Sequence, residues 1–311
     1  MPGTARLERL LELVPPPLTD DPDGETGPSE DRDYGPDPDV DVVARFPAGE
    51  TFSRKAIEDA LYGDVHKAVL CPTYYVVTPS GRTTFLSSTD APDEGCELIA
   101  AWSVGRGNEY DSETIVRAHQ RLAAQLAGLP FRFDCTPLDI ARISSTFDRV
   151  KAILELEPDS VSVTAYHRGG QKFDGRQVWN LLHSIGFRWG DMDCFQWADP
   201  TDQTDYLVWV EADDGKLGYV LPEMVATGEQ NFHEVRFSFT PPRTPSPLHV
   251  LEQMLRAVAM FQQHTGCSLV AKIDNKVVEG PDQLMQSIMT LGEKLAAMGL
   301  KPGWSTILRI R

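Results

Sequence analysis

Cysteine is scarce and scattered in this chain. The five residues, Cys71, Cys96, Cys135, Cys194 and Cys267, are odd in number and form no CxxC pair. That pattern speaks against a disulfide framework and a zinc knuckle, and fits reduced thiols in the cytoplasm. Long apolar runs are missing as well, as is a signal peptide, so no segment is expected to span a bilayer. Positive charge is short: 29 basic residues stand against 46 acidic ones, a net charge of −17. Such a chain repels nucleic-acid phosphates, and its one basic concentration, Leu308-Arg309-Ile310-Arg311, is too small for a nucleic-acid surface.

Catalytic signatures are equally thin. The seven histidines (His66, His119, His167, His183, His233, His249, His264) show neither i, i+4 spacing nor cysteine neighbours. His183 is expected on the wet side of its helix. Gly105-Arg106-Gly107-Asn108 lacks the third glycine and the lysine of a phosphate loop. Asp199, Asp202 and Asp205 lack the glycine and terminal glutamate of a calcium loop. The expectation is a protein that is not an enzyme and carries no metal or cofactor.

What is present is periodicity. Residues 4 to 14 place Leu7, Leu10, Leu11 and Val14 on one stripe, which predicts a short amphipathic helix. From Thr19 to Asp39 the chain is acidic and rich in Pro and Gly, the composition of a disordered linker. Order begins at Val40 with a strand, followed by a helix capped by Ser53 and a hairpin around Pro79-Ser80-Gly81. Further on come a strand at 97–104, a helix at 112–126, a short strand at 131–135 and a helix opened by Thr136-Pro137. From Ser160 the same order returns. VVARFPAGETF (Val42 to Phe52) lies over VTAYHRGGQKF (Val163 to Phe173) without a gap, which reads as an internal duplication. The predicted class is α+β: two tandem split β-α-β units, each an antiparallel sheet with helices on one face. The expected boundaries are 1–39, 40–157, 158–301 and a C-terminal extension, 302–311, whose β-branched and aromatic content suggests an added strand.

Within the second unit, Asp174 caps a helix that carries Val178, Leu181, Leu182 and Ile185 on one face and stops at Gly186. The corner that follows, Gly186-Phe187-Arg188-Trp189-Gly190-Asp191-Met192, resembles the helix-to-strand corner of the ZipA C-terminal domain family. The loop with Gly170, Phe173 and Gly175, and Pro222-Glu223-Met224 downstream, fit the same family. The resemblance covers about residues 159–301, and reaches 40–150 only through the repeat.

It implies a non-enzymatic adaptor in bacterial cell division. Its partner would be the C-terminal peptide of FtsZ, received as a helix on the open sheet face, and its place the cytoplasm, at the division site. Strand alternation turns Val161, Val163, Ala165, Phe237 and Phe239 towards the helices. The open face is then expected to carry Ser160, Ser162 and Thr164, with Arg236, Ser238 and Thr240 on the fourth strand. Met192, Cys194, Leu207 and Trp209 complete it. Two other readings stand beside this one: an enzyme or small-molecule sensor with a pocket between the repeats, or an architectural tandem with its sheet face covered.

Overall fold

A computed structural model describes residues 8–16, 35–62, 72–88, 91–105, 111–198, 206–215 and 219–310. The chain divides into two compact units, Asp33–Glu155 with Ser305–Arg311, and Met1–Arg32 with Leu156–Trp304. They are called the first and second unit below. Both are α+β with antiparallel sheets.

The first unit opens with β1 (Asp41–Ser53) and α1 (Arg54–Tyr62), whose Ile57 and Leu61 are buried. It continues through β2 (Thr73–Val77), β3 (Thr83–Phe85), β4 (Glu94–Ser103), α2 (Ser112–Ala127) and α3 (Ile140–Leu154). The sheet order is β1-β4-β2-β3. The strand expected at 131–135 is reduced to a single bridge, Ala48 with Phe133, on the outer side of β1. Helix α3 starts not at Pro137 but at Ile140, because Asp139 caps it by accepting from the Ala141 amide at 2.9 Å.

In the second unit, β5 (Val161–Tyr166) and the short β6 (Phe173–Asp174) lead to α4 (Gly175–Ser184). Asp174 caps α4 by accepting from the Gln177 amide at 2.8 Å. Gly175 admits no side chain there, since a Cβ would lie 2.0 Å from the Gln230 carbonyl oxygen. Gly186 then ends the helix run at φ +102°, a conformation that suits glycine. The corner runs through β7 (Arg188–Trp189) and a 3₁₀ turn at Asp191–Asp193. The rest is β8 (Phe195–Ala198), β9 (Tyr206–Asp213), α5 (Pro222–Thr227), β10 (Asn231–Phe232), β11 (Glu234–Phe239), α6 (Pro247–Thr265), β12 (Ser268–Ile273), β13 (Lys276–Val278) and α7 (Pro281–Ala297). A seven-stranded sheet has the order β13-β12-β5-β11-β9-β8-β7, and β6 pairs with β10 apart from it.

The register explains the core. Phe195, Val210, Phe237, Val163, Ala271 and Val278 lie opposite one another in a row across six strands. This row faces the helices and joins Val178, Leu182, Phe187, Met254, Phe261 and Ile288 in one hydrophobic cluster.

The two sheets are not simple copies. Each places its first strand beside its fourth, β1 by β4 and β5 by β11. Beyond that, β4 meets β2 with β3 outside, whereas β11 meets β9 with β8 outside. Among the described residues the second and third strands have therefore changed places.

Two terminal expectations are corrected. The predicted helix over 4–14 is absent from its described part, since residues 8–16 are neither helix nor strand. They lie instead as a strap on the second unit, where Leu10 and Leu11 donate to the Ser184 carbonyl. The C-terminal segment forms no strand. It is a helix, α8 (Ser305–Ile310), belonging to the first unit. Ile307 and Ile310, one turn apart, are buried, while Thr306 and Arg309 reach Asp37 and Asp41 at 2.6 and 2.5 Å. Tertiary pairing of this amphipathic turn outweighs its β propensity.

Candidate functional site

On the face opposite the helices, the second unit's sheet presents a row running Gln196, Trp209, Ser238, Ser162, Lys272, Val277. A second row runs Glu211, Arg236, Thr164, Val270, and a third Asp213, Glu234, Tyr166, Ser268. Ser162, Trp209, Arg236 and Ser238 are half-buried on this face. Thr164 belongs to it too, but is 1% exposed with its hydroxyl unpartnered.

The other expected residues are placed differently. Leu207 is 1% exposed and part of the core, because a register shift at Trp197/Ala198 inserts it into β9 as a bulge. Met192 is 73% exposed but sits in the 3₁₀ turn at φ 55°, off the strands. Cys194 is buried just before β8, its sulfur 3.7 Å from the Gln196 amide nitrogen. Ser160 precedes β5, and its amide is held by the Asp274 carboxylate at 2.7 Å. Thr240 lies beyond β11, where its carbonyl accepts from the Thr244 hydroxyl at 2.8 Å. The structure thus brings together Ser162, Thr164, Trp209, Arg236 and Ser238.

Lys272, Val277, Glu211 and Glu234 share the face and were missed. Glu211 and Glu234 follow from alternation with Trp209 and Arg236 on their own strands, whereas Lys272 and Val277 depend on the cross-strand pairing of β12 and β13. The pair Asp274-Asn275 could have signalled β13, since both adopt positive φ between β12 and β13, as a two-residue hairpin requires.

Charge on the face is locally balanced. Arg236 pairs with Glu234 at 3.1 Å and Glu211 at 3.6 Å. These exposed pairs contribute little to stability, and they set the local potential a partner meets. His183, expected on the wet side of α4, is half-buried edge-on to Trp179 and Phe195. Its burial there pushes the imidazole pKa down, against a smaller opposing effect of the Phe187 backbone.

Elsewhere on this unit, Leu248, Leu251, Leu255, Ala259 and Met285 line a groove of about 310 Å³ between α6 and α7, with Glu252 and Arg256 beside them. No group of three or more His, Cys, Asp or Glu among the described residues could hold a metal. The Asp199, Asp202 and Asp205 loop lies outside those residues, as does the Gly105 loop beyond its first glycine. No helix among the described residues is long and apolar enough to cross a membrane.

Two comparisons with known proteins bear on this geometry. No curated protein matches the chain. A family model, described as the ZipA C-terminal FtsZ-binding domain, matches residues 159–287, under half of the 311. The match begins just before β5 and ends inside α7, so it spans the sheet and the helices that cover one side of it. Over those residues the chain is similar to the ZipA C-terminal FtsZ-binding domain.

Proposed function

We propose that residues 159–287 form a non-enzymatic module that binds the C-terminal peptide of FtsZ, and that the protein acts as an adaptor in cell division. The family match carries this reading, since it falls on a sheet whose described helices pack against one face, the row of Phe195, Val210, Phe237 and Val163. Trp209 is the one large aromatic on the central rows and the natural anchor. Ser162, Ser238 and Arg236 around it offer hydrogen bonds and little apolar area, so binding is weak, in the high micromolar range on the order of 5–6 kcal/mol. Residues 40–157 are, on this proposal, a divergent repeat of the same module.

A titration of labelled FtsZ C-terminal peptide against the intact chain tests it. Trp209→Ala should weaken binding by about 2 kcal/mol, the scale of a hot-spot residue. No binding at high micromolar peptide removes FtsZ as partner. Undiminished binding by the variant moves the site off this face. A fluorescent fusion that fails to gather at the division site in host cells would count against the adaptor role.

A further inference from the structure

The strap at residues 8–16 is held in the manner of a bound peptide. The Leu10 and Leu11 amides both point at the Ser184 carbonyl, at the end of α4, at 2.8 and 3.4 Å. Leu13 is 7% exposed and belongs to the second unit's core cluster. Its side chain lies against Gly186, where a Cβ would come within 3.6 Å of it. Two side chains one turn apart on α6 then clamp a single residue through its main chain. The Val14 amide donates to Gln253 Oε1 at 3.2 Å, and the Val14 carbonyl accepts from His249 Nε2 at 2.7 Å. The Val14 side chain itself is half exposed.

Gln253 is the informative residue. It is 4% exposed on α6, in a stretch whose neighbours Val250, Leu251, Met254 and Ala257 are all core. A buried amide carbonyl is costly unless it is met by donors. Here the donors are Arg256, at 2.9 Å, and the strap. Leu11 packs partly against the same cluster and Pro16 is buried as well, so the strap combines backbone clamping with a few apolar contacts centred on Leu13, as extended segments are commonly recognised.

We propose that the end of α4 and the His249/Gln253 clamp on α6 form a second peptide-binding site on this unit, separate from the sheet face. Its ligand is an extended apolar segment anchored chiefly by a leucine, and residues 8–16 fill it in cis. A tethered ligand competes at an effective concentration of roughly millimolar, so the intact chain screens the site from segments in trans.

The test uses a fluorescein-labelled peptide of residues 8–16. The intact chain should bind it at least tenfold more weakly than the chain lacking residues 1–16. In the shortened chain, Gln253→Ala should weaken binding about fivefold, the loss of one hydrogen bond. Leu13→Ala in the peptide should weaken it on the order of thirtyfold. Equal affinity for both chains, or no binding by a shortened chain that still unfolds cooperatively, overturns the proposal. Native-state hydrogen exchange on the intact protein decides the matter even if the shortened chain does not fold. The Leu10, Leu11 and Val14 amides should exchange through local opening, well before the Phe237 amide. Exchange of all four only on global unfolding would make the strap an inseparable piece of the core and end the idea.

Discussion

The two sheets carry opposite surfaces on the sides away from their helices. In the first unit that side is apolar: Tyr75, Ile99 and Ala101 are buried together, with Val43, Val77 and Phe85 packed against them. In the second it is polar, with Ser162, Ser238, Arg236 and Lys272 around Trp209. The family match falls on the second unit. On the proposed reading, fold and partner are written on different faces of the same strands. The helix-facing rows, Val163 with Phe237 and Phe195, form the core, whereas on the proposed reading the opposite rows would meet the partner and are free to diverge.

The largest expected effect separates the units. Ending the chain after Trp304 removes Ile307 and Ile310 from the first unit and leaves the buried Asp41 carboxylate without Arg309. Losing two buried isoleucines together with the Asp41–Arg309 pair should cost on the order of 3–5 kcal/mol. Hydrogen exchange should show β1 and β4 losing protection while β5 and β11 keep theirs. Loss in both sheets, or in neither, would mean that α8 does not belong to the first unit alone.

A smaller effect compares the faces directly. Ile99→Ala should cost about 2–4 kcal/mol, because the side chain is fully enclosed. Ser238→Ala, at a half-buried position on the corresponding side of the second sheet, should stay within about 0.5 kcal/mol. Urea unfolding of the two variants measures both. A negligible cost for Ile99→Ala would show that the apolar cluster is not a second core.

How much of this was legible in the sequence depended on whether the partner was local. Alternation at Val161, Val163 and Ala165 points to the buried face because one strand suffices to show it. The bulge that turns Leu207 inward depends on pairing with β8, which no single segment reveals. Leu7, Leu10, Leu11 and Val14 keep helical spacing, yet the described strap takes its hydrogen bonds from Ser184 and Gln253, far away in the chain. In the same way α8 is helical because Asp37 and Asp41 meet its polar side, a contact that propensity cannot anticipate. Of the candidate site, the Ser162, Thr164, Trp209, Arg236 and Ser238 rows were readable. Glu211 was readable too, two residues along β9 from Trp209, whereas the flanking Lys272 was not, since the pairing of β12 with β5 decides it.

A pH dependence should appear in both units. Desolvation holds His119, which lies against the rings of Phe46 and Trp102, below its ordinary pKa of 6.5, outweighing a raising contact with the Thr136 backbone. His183 is shifted the same way in the second unit. The unfolded chain thus binds protons that the folded chain does not. The stability from these groups is complete above the unfolded value and is lost as pH falls below it. Denaturation at pH 8 and pH 5.5 should show the decline, and His119→Phe should flatten it for the first unit only. A variant with an unchanged profile would assign the proton uptake to other groups.

A small change in stability comes with the sharpest functional contrast. If the polar rows limit peptide binding, making the second unit's face resemble the first should strengthen it. Ser162→Val with Ser238→Val does this at two directly opposed positions on central strands. Valine suits a strand, and both sites are half-buried, so stability should remain within about 0.5–1 kcal/mol of the parent. Each substitution adds a few tens of Å² of apolar surface beside Trp209, about 1 kcal/mol of burial beneath a bound helix. The FtsZ peptide should then bind the double variant roughly fivefold to thirtyfold more tightly. The gain should vanish when Trp209→Ala is added, because both changes act on one contact surface and cannot be independent. A tightened complex that survives the loss of Trp209 would place the peptide towards β12 and β13, over Lys272 and Val277. Unchanged affinity in a well-folded double variant would show that the peptide does not touch this face, and would leave the family likeness a statement about the fold alone.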